Sequence, residues 1–413
     1  MDTVNTSLFI SHLLKKEIKS SSVKVNELAQ KFGRTKQSFY SVLRGEMHPD
    51  PNIVKFILKE TNGIDFDFSD EVKELCKTKY FEYLEAFYFD DNEVLSRIES
   101  EVSDDWYYSI GFPYYLMLKS LILIENRKAA ELHTFVLDLD KHFSTCINPS
   151  AKFLIHAKLS DCLINRDFNK ALSIIPTIPT SSASTSHYDA LINQLIGITY
   201  CELHKPLDSL YYSFIAAKQF SEDHSVAYSV ATNGNIGNAY LQLGNYEKAL
   251  VQYNKTLSDA KRFNRYKVMN SCYANIAYCH FVLGNYDKAL ENKPITINGR
   301  YYPIHLIQLC WASYFSNNTS LLNEYILYLE QSIKNKYQQL MFELINLYKV
   351  QASFDTKIAK LIEMLNLSYD HGLVSDQLWC LRFLIKEYED VKDYESITKY
   401  QKEVLRILNF NSL

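Results

Sequence analysis

The sequence predicts an all-α protein in which a small N-terminal domain precedes a long stack of helical hairpins. Two eight-residue segments, Leu243–Leu250 and Leu283–Leu290, are nearly identical and lie 40 residues apart. An internal period of this length is typical of stacked-repeat proteins, in which each unit buries its apolar face only against its neighbours. Hydrophobic residues make up 47% of the chain, and 11 Gly and 9 Pro are too few for the many turns of an all-β fold.

Residues 25–61 are predicted to fold as three short helices. Gly33 breaks the first helix, Thr35 can cap the second, and Gly45 can end it. The small side chain of Ala29 would let the first two helices cross closely. The predicted helices comprise residues 25–32, 36–44 and 52–60. This order indicates a helix-turn-helix domain within residues 1–65.

One face of the second helix is polar and basic. Phe39, Val42 and Leu43 would face the core, so the remaining side chains are free to contact phosphates and base edges. Residues 1–62 carry ten Lys and Arg against six Asp and Glu, whereas the rest of the chain has 34 against 42, which favours an anionic partner for the N-terminal domain alone. The predicted DNA-binding residues are Arg34, Thr35, Lys36, Gln37, Ser38, Tyr40, Ser41 and Arg44. The alternative is a plain helical hairpin with a solvated basic face.

The segment from Leu28 to Gly45 resembles the helix-turn-helix of the Cro and phage-repressor class. Its Leu-Ala-x-x-Phe-Gly and Arg-Gly elements stand at the spacing of that class. The resemblance implies binding to a double-stranded DNA operator. Because one such unit contacts few bases, a homodimer on two half-sites is expected.

The repeated segments are predicted to join the two helices of a hairpin. Gly244 and Gly284 can turn left-handed after the first helix, and Asn245 and Asn285 can cap the second. One period earlier His204-Lys205-Pro206 replaces Gly-Asn-Tyr, so that turn is expected to differ. Small residues should meet across each hairpin, Gly237 with Ala249 and Ala277 with Ala289. The unit resembles a tetratricopeptide repeat, which implies a tetratricopeptide-like right-handed α-solenoid.

The repeat array is predicted to occupy residues 66–290 and 305–413, with an interruption at 291–304. Pro294 cuts short the second helix of the second repeat, and Asn298-Gly299 offers a tight turn. The interruption is either a hinge between two lobes or an inert insertion. An apolar stripe on the last helix either caps the array or joins two subunits: Ile397, Tyr400, Val404, Ile407 and Leu408.

Asparagines at related positions of the repeats predict a peptide-binding groove. Asn235 and Asn238 share one face of a first helix, and Asn275 repeats Asn235 one unit later. A side-chain amide offers both a donor and an acceptor, so it can pair with a peptide bond whatever the peptide sequence. Tyr278 stands one period after Asn238 and could line the same groove, which Gln194, Gln308 and Asn346 would extend. The alternative is that these side chains are solvated or self-capping.

The combination of this N-terminal motif with tetratricopeptide-like units resembles the RRNPP-type peptide-pheromone receptors, the Rap, Rgg, NprR, PlcR and PrgX group, and the phage arbitrium receptors. The matching segments are residues 28–45 and 194–290. The resemblance implies a cytoplasmic homodimer whose repeats bind a short signalling peptide and thereby change DNA binding. It also implies that Asn235, Asn238 and Asn275 hold the peptide backbone.

The sequence contains no recognisable motif of an enzyme, a metal site or a cofactor site. Walker-type, HExxH and GxSxG patterns are absent, and the eight cysteines form no Cys-x-x-Cys pair, which favours reduced core residues. No signal peptide is apparent, and the best apolar stretch, Tyr114–Ile124, is too short to span a membrane. Two other functions stay open: a Rap-like modulator of a response regulator, and a protein-interaction scaffold.

Overall fold

The computed structural model describes residues 6–47, 49–143, 152–178, 186–293, 296–297, 300–370 and 374–410. Within these residues the chain forms twenty-two α-helices, two short 3-10 helices and one two-stranded hairpin. The all-α prediction is therefore confirmed. The chain divides into two compact units, the first comprising Met1–Thr199 with Glu222–Ser225 and the second Tyr200–Ser221 with Val226–Leu413.

The first unit contains the N-terminal helices and the early part of the body. Its 3-10 helices are Asp104–Tyr108 and Ile175–Thr177. Its α-helices are α1 (Thr6–Ser20), α2 (Val25–Phe32), α3 (Lys36–Arg44), α4 (Pro51–Asn62), α5 (Asp70–Phe89), α6 (Asn92–Glu101), α7 (Phe112–Glu125), α8 (Ala129–Phe143), α9 (Lys152–Ile164), α10 (Phe168–Ile174) and α11 (His187–Glu202) as far as Thr199.

The turn between α2 and α3 is formed by the residues that the sequence predicts for it. Gly33 has a left-handed backbone with φ of 74°, and Gly45 ends α3 with the same φ. The Thr35 hydroxyl accepts a hydrogen bond from the backbone N–H of Ser38 at 3.3 Å, as an N-cap should. Asp50 caps α4 in the same way, by accepting from the N–H of Asn52 at 2.8 Å. The residues at the ends of these short helices thus determine where each helix begins and ends.

Helix α1 was not predicted, and it completes the core of the N-terminal helices. Phe9, Leu13 and Leu14 are fully buried, and α1 packs on both α3 and α4. The Phe9 ring also stacks on Phe112 of α7, with 3.6 Å between the ring centroids. The predicted inward residues of α3, Phe39, Val42 and Leu43, are buried, as expected.

The second unit is a succession of helical hairpins. Between α16 and α17 lies an antiparallel pair of strands, β1 (Thr296–Ile297) and β2 (Arg300–Tyr301); Pro294 and the Asn298-Gly299 turn lie outside the described residues. Its helices are α12 (Pro206–Glu222) as far as Ser221, α13 (Val226–Gln242), α14 (Tyr246–Arg262), α15 (Tyr266–Val282), α16 (Tyr286–Leu290), α17 (Pro303–Phe315), α18 (Thr319–Glu330), α19 (Lys336–Lys349), α20 (Phe354–Asp370), α21 (Val374–Asp390) and α22 (Tyr394–Phe410).

Left-handed turns recur every twenty residues through this part of the chain. They occur at His204, His224, Gly244, Asn264 and Gly284, with φ between 53° and 73°. The prediction that the turn at His204 would differ is wrong. The N–H of Lys205 bonds to the carbonyl of Tyr200 at 2.8 Å, just as Asn245 bonds to Tyr240 at 3.0 Å. A non-glycine residue tolerates this backbone at a modest cost.

The close approach predicted at Gly237 is present, but its partner is a ring rather than Ala249. A Cβ on Gly237 would lie 2.5 Å from Cε1 of Tyr253 on α14. The cap prediction holds for Asn245, which accepts from the N–H of Lys248 at 3.1 Å. It is wrong for Asn285, which makes no side-chain cap bond.

The C-terminal hairpins pack around Trp311, which is fully buried. Trp379 and Phe383 of α21 stack at 4.0 Å, and Phe383 lies 4.9 Å from Trp311. On α22 the predicted apolar stripe is buried at Ile397, Tyr400 and Ile407, whereas Leu408 is 48% exposed. Seven cysteines are free and buried, and Cys146 lies outside the described residues.

Candidate functional site

The polar face of α3 is open to solvent. All eight residues predicted to contact DNA are at least partly exposed, and the more exposed ones are Arg34, Thr35, Lys36, Gln37, Tyr40 and Arg44. The Lys36 ammonium lies 5.7 Å from the centre of the Tyr40 ring. The arrangement leaves a row of donors on one side of a short helix, while the opposite side is core.

Glu46 lies beside this face and was not anticipated. Its Oε1 lies 2.8 Å from Nε of Arg44, and both side chains are about half exposed. Exposed ion pairs of this kind contribute little stability, about 0–1 kcal/mol. The pair therefore holds Arg44 in place without preventing its transfer to another anion.

Helix α1 ties the N-terminal helices to the body of the first unit. Lys16 donates to Asp138 of α8 at 2.7 Å and to the Tyr107 hydroxyl at 3.0 Å. Glu17 accepts from Asn62 of α4 at 3.1 Å. These bonds join the helix that packs on α3 to the first body helices.

Two of the predicted asparagines bond to each other across neighbouring first helices of the second unit. Nδ2 of Asn275 on α15 donates to Oδ1 of Asn238 on α13 at 3.0 Å. The Tyr253 hydroxyl donates to the same oxygen at 2.7 Å. Both lone pairs of that oxygen are thereby used. Tyr253 has no place in the predicted row of asparagines, because it stands on the second helix of the hairpin.

This arrangement fixes the two amides while leaving groups for a ligand. The Asn238 NH₂ and the Asn275 carbonyl oxygen take no part in the contact between the two side chains, so that contact leaves donors on one helix and an acceptor on its neighbour. Asn235 is half-buried. An amide donor and acceptor held in this way match the two polar groups of a peptide bond.

The other predicted groove residues lie in different surroundings. Burial raises the pKa of Tyr278 to about 12, against the opposing charge of Arg382 on α21. Gln308 has a buried Oε1 that accepts no bond from the described residues. Asn346 donates to the carbonyl of Phe342 in its own helix at 3.0 Å. Gln194 is buried and belongs to the first unit.

Other site types find no support in the part of the chain that the structure describes. No group of three His, Cys, Asp or Glu side chains there could hold a metal ion. No helix among those residues is both long enough and apolar enough to cross a bilayer.

No protein-family model and no curated protein matches this sequence. Solved structures to which it is similar include Rap, NprR and AimR proteins, which are peptide receptors of the RRNPP type. A Rap protein in complex with competence and sporulation factor has 15% sequence identity, and the match covers 83% of this chain and 99% of that chain with a TM-score of 0.61. The apo quorum sensor NprR from B. thuringiensis has 17% identity over 82% and 99%, also with a TM-score of 0.61.

A third structure, phAimR, has 12% identity, and the match covers 95% of this chain and 99% of that chain with a TM-score of 0.54. Residues 1–65 make up more of the chain than the 5% that this match leaves uncovered. The match therefore includes part of the N-terminal helices. At such identities the likeness establishes the fold. The predicted tetratricopeptide-like architecture and its resemblance to the RRNPP group are therefore confirmed at that level.

Proposed function

We propose that this protein is a DNA-binding transcriptional regulator whose repeats bind a short signalling peptide that modulates operator binding. The observation that carries the proposal is the pairing of two features in one chain. One is the exposed basic face of α3, and the other is the bonded pair of Asn238 and Asn275 on neighbouring first helices.

The fold supports a peptide ligand. The similar structures include a Rap protein with competence and sporulation factor and NprR with its cognate peptide NprX. A conjugation gene regulator of the plasmid pLS20, also a Rap protein, is bound to the Phr* peptide. We assign binding of the peptide backbone to Asn235, Asn238 and Asn275, with Tyr278, Gln308 and Asn346 as further candidates in the same unit.

The basic face supports a DNA ligand. Cations on a short exposed helix can reach phosphates, and hydroxyls and amides beside them can reach base edges in the major groove. We assign residues 1–65 to the DNA-binding domain and residues 66–290 and 305–413 to the repeat array, with 291–304 as the interruption. The active species is a homodimer, because one such helix contacts too few bases for specific binding. We place it in the cytoplasm. Light scattering of the purified protein tests the dimer.

Salt-dependent binding to a pool of randomised DNA duplexes tests the DNA function. Wild-type protein should bind, and its affinity should fall steeply with salt. The double variant Lys36→Ala/Arg44→Ala should lose at least about tenfold in affinity, because two phosphate contacts are removed. The control is Lys55→Ala/Lys59→Ala, which removes the same charge from exposed positions of α4. Equal affinity of the two double variants would refute a role for α3.

Affinity capture from a synthetic hexapeptide library tests the peptide function. Wild-type protein should retain a defined subset, and Asn275→Ala should retain it at least about tenfold less, because a backbone contact and the Asn238 bond are lost together. The control is Asn254→Ala, whose exposed amide donates to the Leu250 carbonyl of its own helix at 2.8 Å. If Asn275→Ala retained the subset like wild type, Asn275 would not hold the peptide.

A second candidate function is that of a modulator of a response regulator. The similarity to Rap structures favours it, and aspartyl phosphate phosphatase F from Bacillus subtilis is among the similar structures, with a TM-score of 0.50. This candidate needs no DNA. Protein that retains peptides but binds no duplex at low salt would support it over the regulator proposed above.

A further inference from the structure

A basic segment of the second unit joins α14 to α15 and lies outside both sites described above. Residues 248–286 contain six Lys and Arg against one Asp, although carboxylates outnumber cations in the chain after residue 62. Residues 261–267 read Lys-Arg-Phe-Asn-Arg-Tyr-Lys. The exposed cations around this turn are Lys255, Lys261, Arg262 and Lys267. The segment is thus a positive surface within an acidic part of the chain.

The turn between the two helices brings these cations to one edge of the unit. Helix α14 ends at Arg262 and α15 begins at Tyr266, and Asn264 between them has a left-handed backbone with φ of 55°. The last turn of α14 therefore lies beside the first turn of α15. Lys255 precedes Arg262 by seven residues, which is about two turns along the same face of α14.

The charge of the four cations is not neutralised by carboxylates. Among the described residues none of the four forms an ion pair, and neither does Asp259, the one acidic residue of the segment. The Lys261 ammonium lies 5.3 Å from the centre of the Tyr273 ring, and the guanidinium carbon of Arg262 lies 5.3 Å from the centre of the Phe263 ring. Such cation–π contacts orient a cation but leave its charge in place. Four positive charges are therefore available to an anionic partner.

Two aromatic rings are exposed among these cations. Phe263 is 37% exposed and Tyr266 is 54% exposed, and both belong to the turn itself. Aromatic rings beside cations are typical of surfaces that bind single-stranded nucleic acid, because the rings stack on bases while the cations contact phosphates. The bases of a duplex are already stacked on one another, so exposed rings favour an unpaired strand.

The kind of cation favours a nucleic acid over an acidic protein. Three of the four exposed cations are lysines, which are depleted in protein–protein interfaces. Protein–nucleic acid interfaces are much more positively charged, and lysine is a common phosphate ligand in them. The surface therefore matches a chain of phosphates better than a patch of carboxylates on a folded protein.

We propose that this surface binds single-stranded nucleic acid, with the four cations on phosphates and the two rings stacked on bases. We call it the basic–aromatic turn; its members are Lys255, Lys261, Arg262, Phe263, Tyr266 and Lys267. The activity is additional to the operator binding assigned to α3, and it uses neither α3 nor the asparagine pair. The strand is DNA or RNA, because phosphate contacts and base stacking are common to both.

Fluorescence anisotropy of full-length protein with labelled oligothymidylate and oligouridylate of about 20 nucleotides tests the proposal. Wild-type protein should bind, with an affinity that falls as salt is added. The variant Lys255→Ala/Lys261→Ala/Arg262→Ala/Lys267→Ala should bind at least about tenfold more weakly at low salt. Its plot of log affinity against log salt should be shallower by about 2 to 3, because each phosphate contact on a single strand contributes roughly 0.7 to that slope.

A second variant separates stacking from charge. Phe263→Ala/Tyr266→Ala should weaken binding at least about fivefold, because base stacking is lost, and it should leave the salt slope unchanged. An abasic strand of the same length should bind this variant and wild type alike. An equal loss on the normal and the abasic strand would overturn the assignment of the rings to bases.

A matched variant controls for the loss of positive charge. It removes four exposed cations from the same unit, none of which forms an ion pair among the described residues, and it should keep the affinity of wild type. Its substitutions are Lys334→Ala, Lys349→Ala, Lys392→Ala and Lys402→Ala. An equal loss of affinity in this variant and in the variant of the basic–aromatic turn would overturn the inference.

The α3 variant Lys36→Ala/Arg44→Ala distinguishes this inference from the operator function. It should lose duplex binding and keep the full affinity for single strands. Loss of strand binding in that variant would place the strand on α3 and overturn the inference alone. Failure of wild type to bind a strand at low salt would also overturn it, whatever the result with duplex. A poly-glutamate chain that competes as well as a strand of equal length would assign the turn to acidic proteins instead.

Discussion

The two copies of the repeated segment share one turn but differ in the helix that begins after it. Gly244 and Gly284 have nearly the same left-handed backbone, with φ of 71° and 73°. Helix α14 then continues for 17 residues, whereas α16 ends after five. The asparagine after the glycine caps the long helix but not the short one. The same local sequence therefore sets the turn, and the residues beyond the repeated segment decide the length of the helix.

The length of the second helix in each copy determines which side chains contact the first helix of that copy. In the first copy, Tyr253 of α14 packs on Gly237 and bonds to Asn238. The second copy has Ala277 in place of Gly237, and its short helix ends before any residue equivalent to Tyr253. Tyr278, the counterpart of Asn238, instead packs against the core cluster that contains Trp379 and Phe383 of α21. One polar position is thus held within its hairpin, and the other faces a distant helix.

The largest expected effect comes from filling the space at Gly237. Gly237→Ala should lower the free energy of unfolding by roughly 1–3 kcal/mol, because the added Cβ would overlap the fully buried Tyr253 ring. Gly234→Ala on the same helix is the control, since its Cβ would meet only Thr256 Cγ2 at 3.9 Å. That variant should be more stable by up to about 1 kcal/mol. Urea denaturation of both distinguishes packing from helix propensity, and equal shifts would contradict the argument.

The caps provide the second test of the difference between the copies. Asn245→Ala should cost about 1 kcal/mol, because the N–H of Lys248 loses its acceptor. Asn285→Ala should cost close to nothing, because Asn285 makes no cap bond. The measurement is the midpoint of urea denaturation of each variant, compared at an unchanged dependence of the unfolding free energy on urea concentration. Equal losses would mean that the two helices begin in the same way after all.

The elements that the sequence predicted well are those with signals inside their own few residues. The bounds of α2 and α3 follow from Gly33, Thr35 and Gly45, each of which acts within one turn. Helix α1 has no such signal, and its contacts are distant, with Phe9 on Phe112 and Lys16 on Asp138. The left-handed turn at His204 has no glycine to signal it, and only the twenty-residue spacing indicates it.

The candidate site was predictable only in part, for a related reason. The repeat placed Asn238 and Asn275 on corresponding helices, and these two side chains do meet. Tyr253 was not predicted because it lies on the second helix. A period identifies which residues are equivalent, but it does not show which side chains from other helices reach them.

Removal of one hydroxyl tests whether the asparagine pair depends on the second helix. Tyr253→Phe should cost about 0.5–1.5 kcal/mol, because the Asn238 oxygen loses one of its two donors in a buried setting. Tyr266→Phe is the control, since that ring is 54% exposed. Urea denaturation again gives the comparison. A Tyr253→Phe variant as stable as the control would show that Asn275 alone is enough to hold Asn238.

The smallest expected effect is a pH dependence confined to the second copy. Burial lowers the pKa of His280, Lys288 lowers it further and Glu291 opposes them, whereas the equivalent residue of the first copy is Tyr240. Because the folded pKa lies below the unfolded one, the unfolded chain binds more protons as the pH falls through the usual histidine range, and stability is lost there. His280→Tyr should remove this component. We therefore expect the difference in unfolding free energy between His280→Tyr and wild type to grow in favour of the variant from pH 7.5 to pH 5.5, and parallel curves would show that His280 titrates alike in both states.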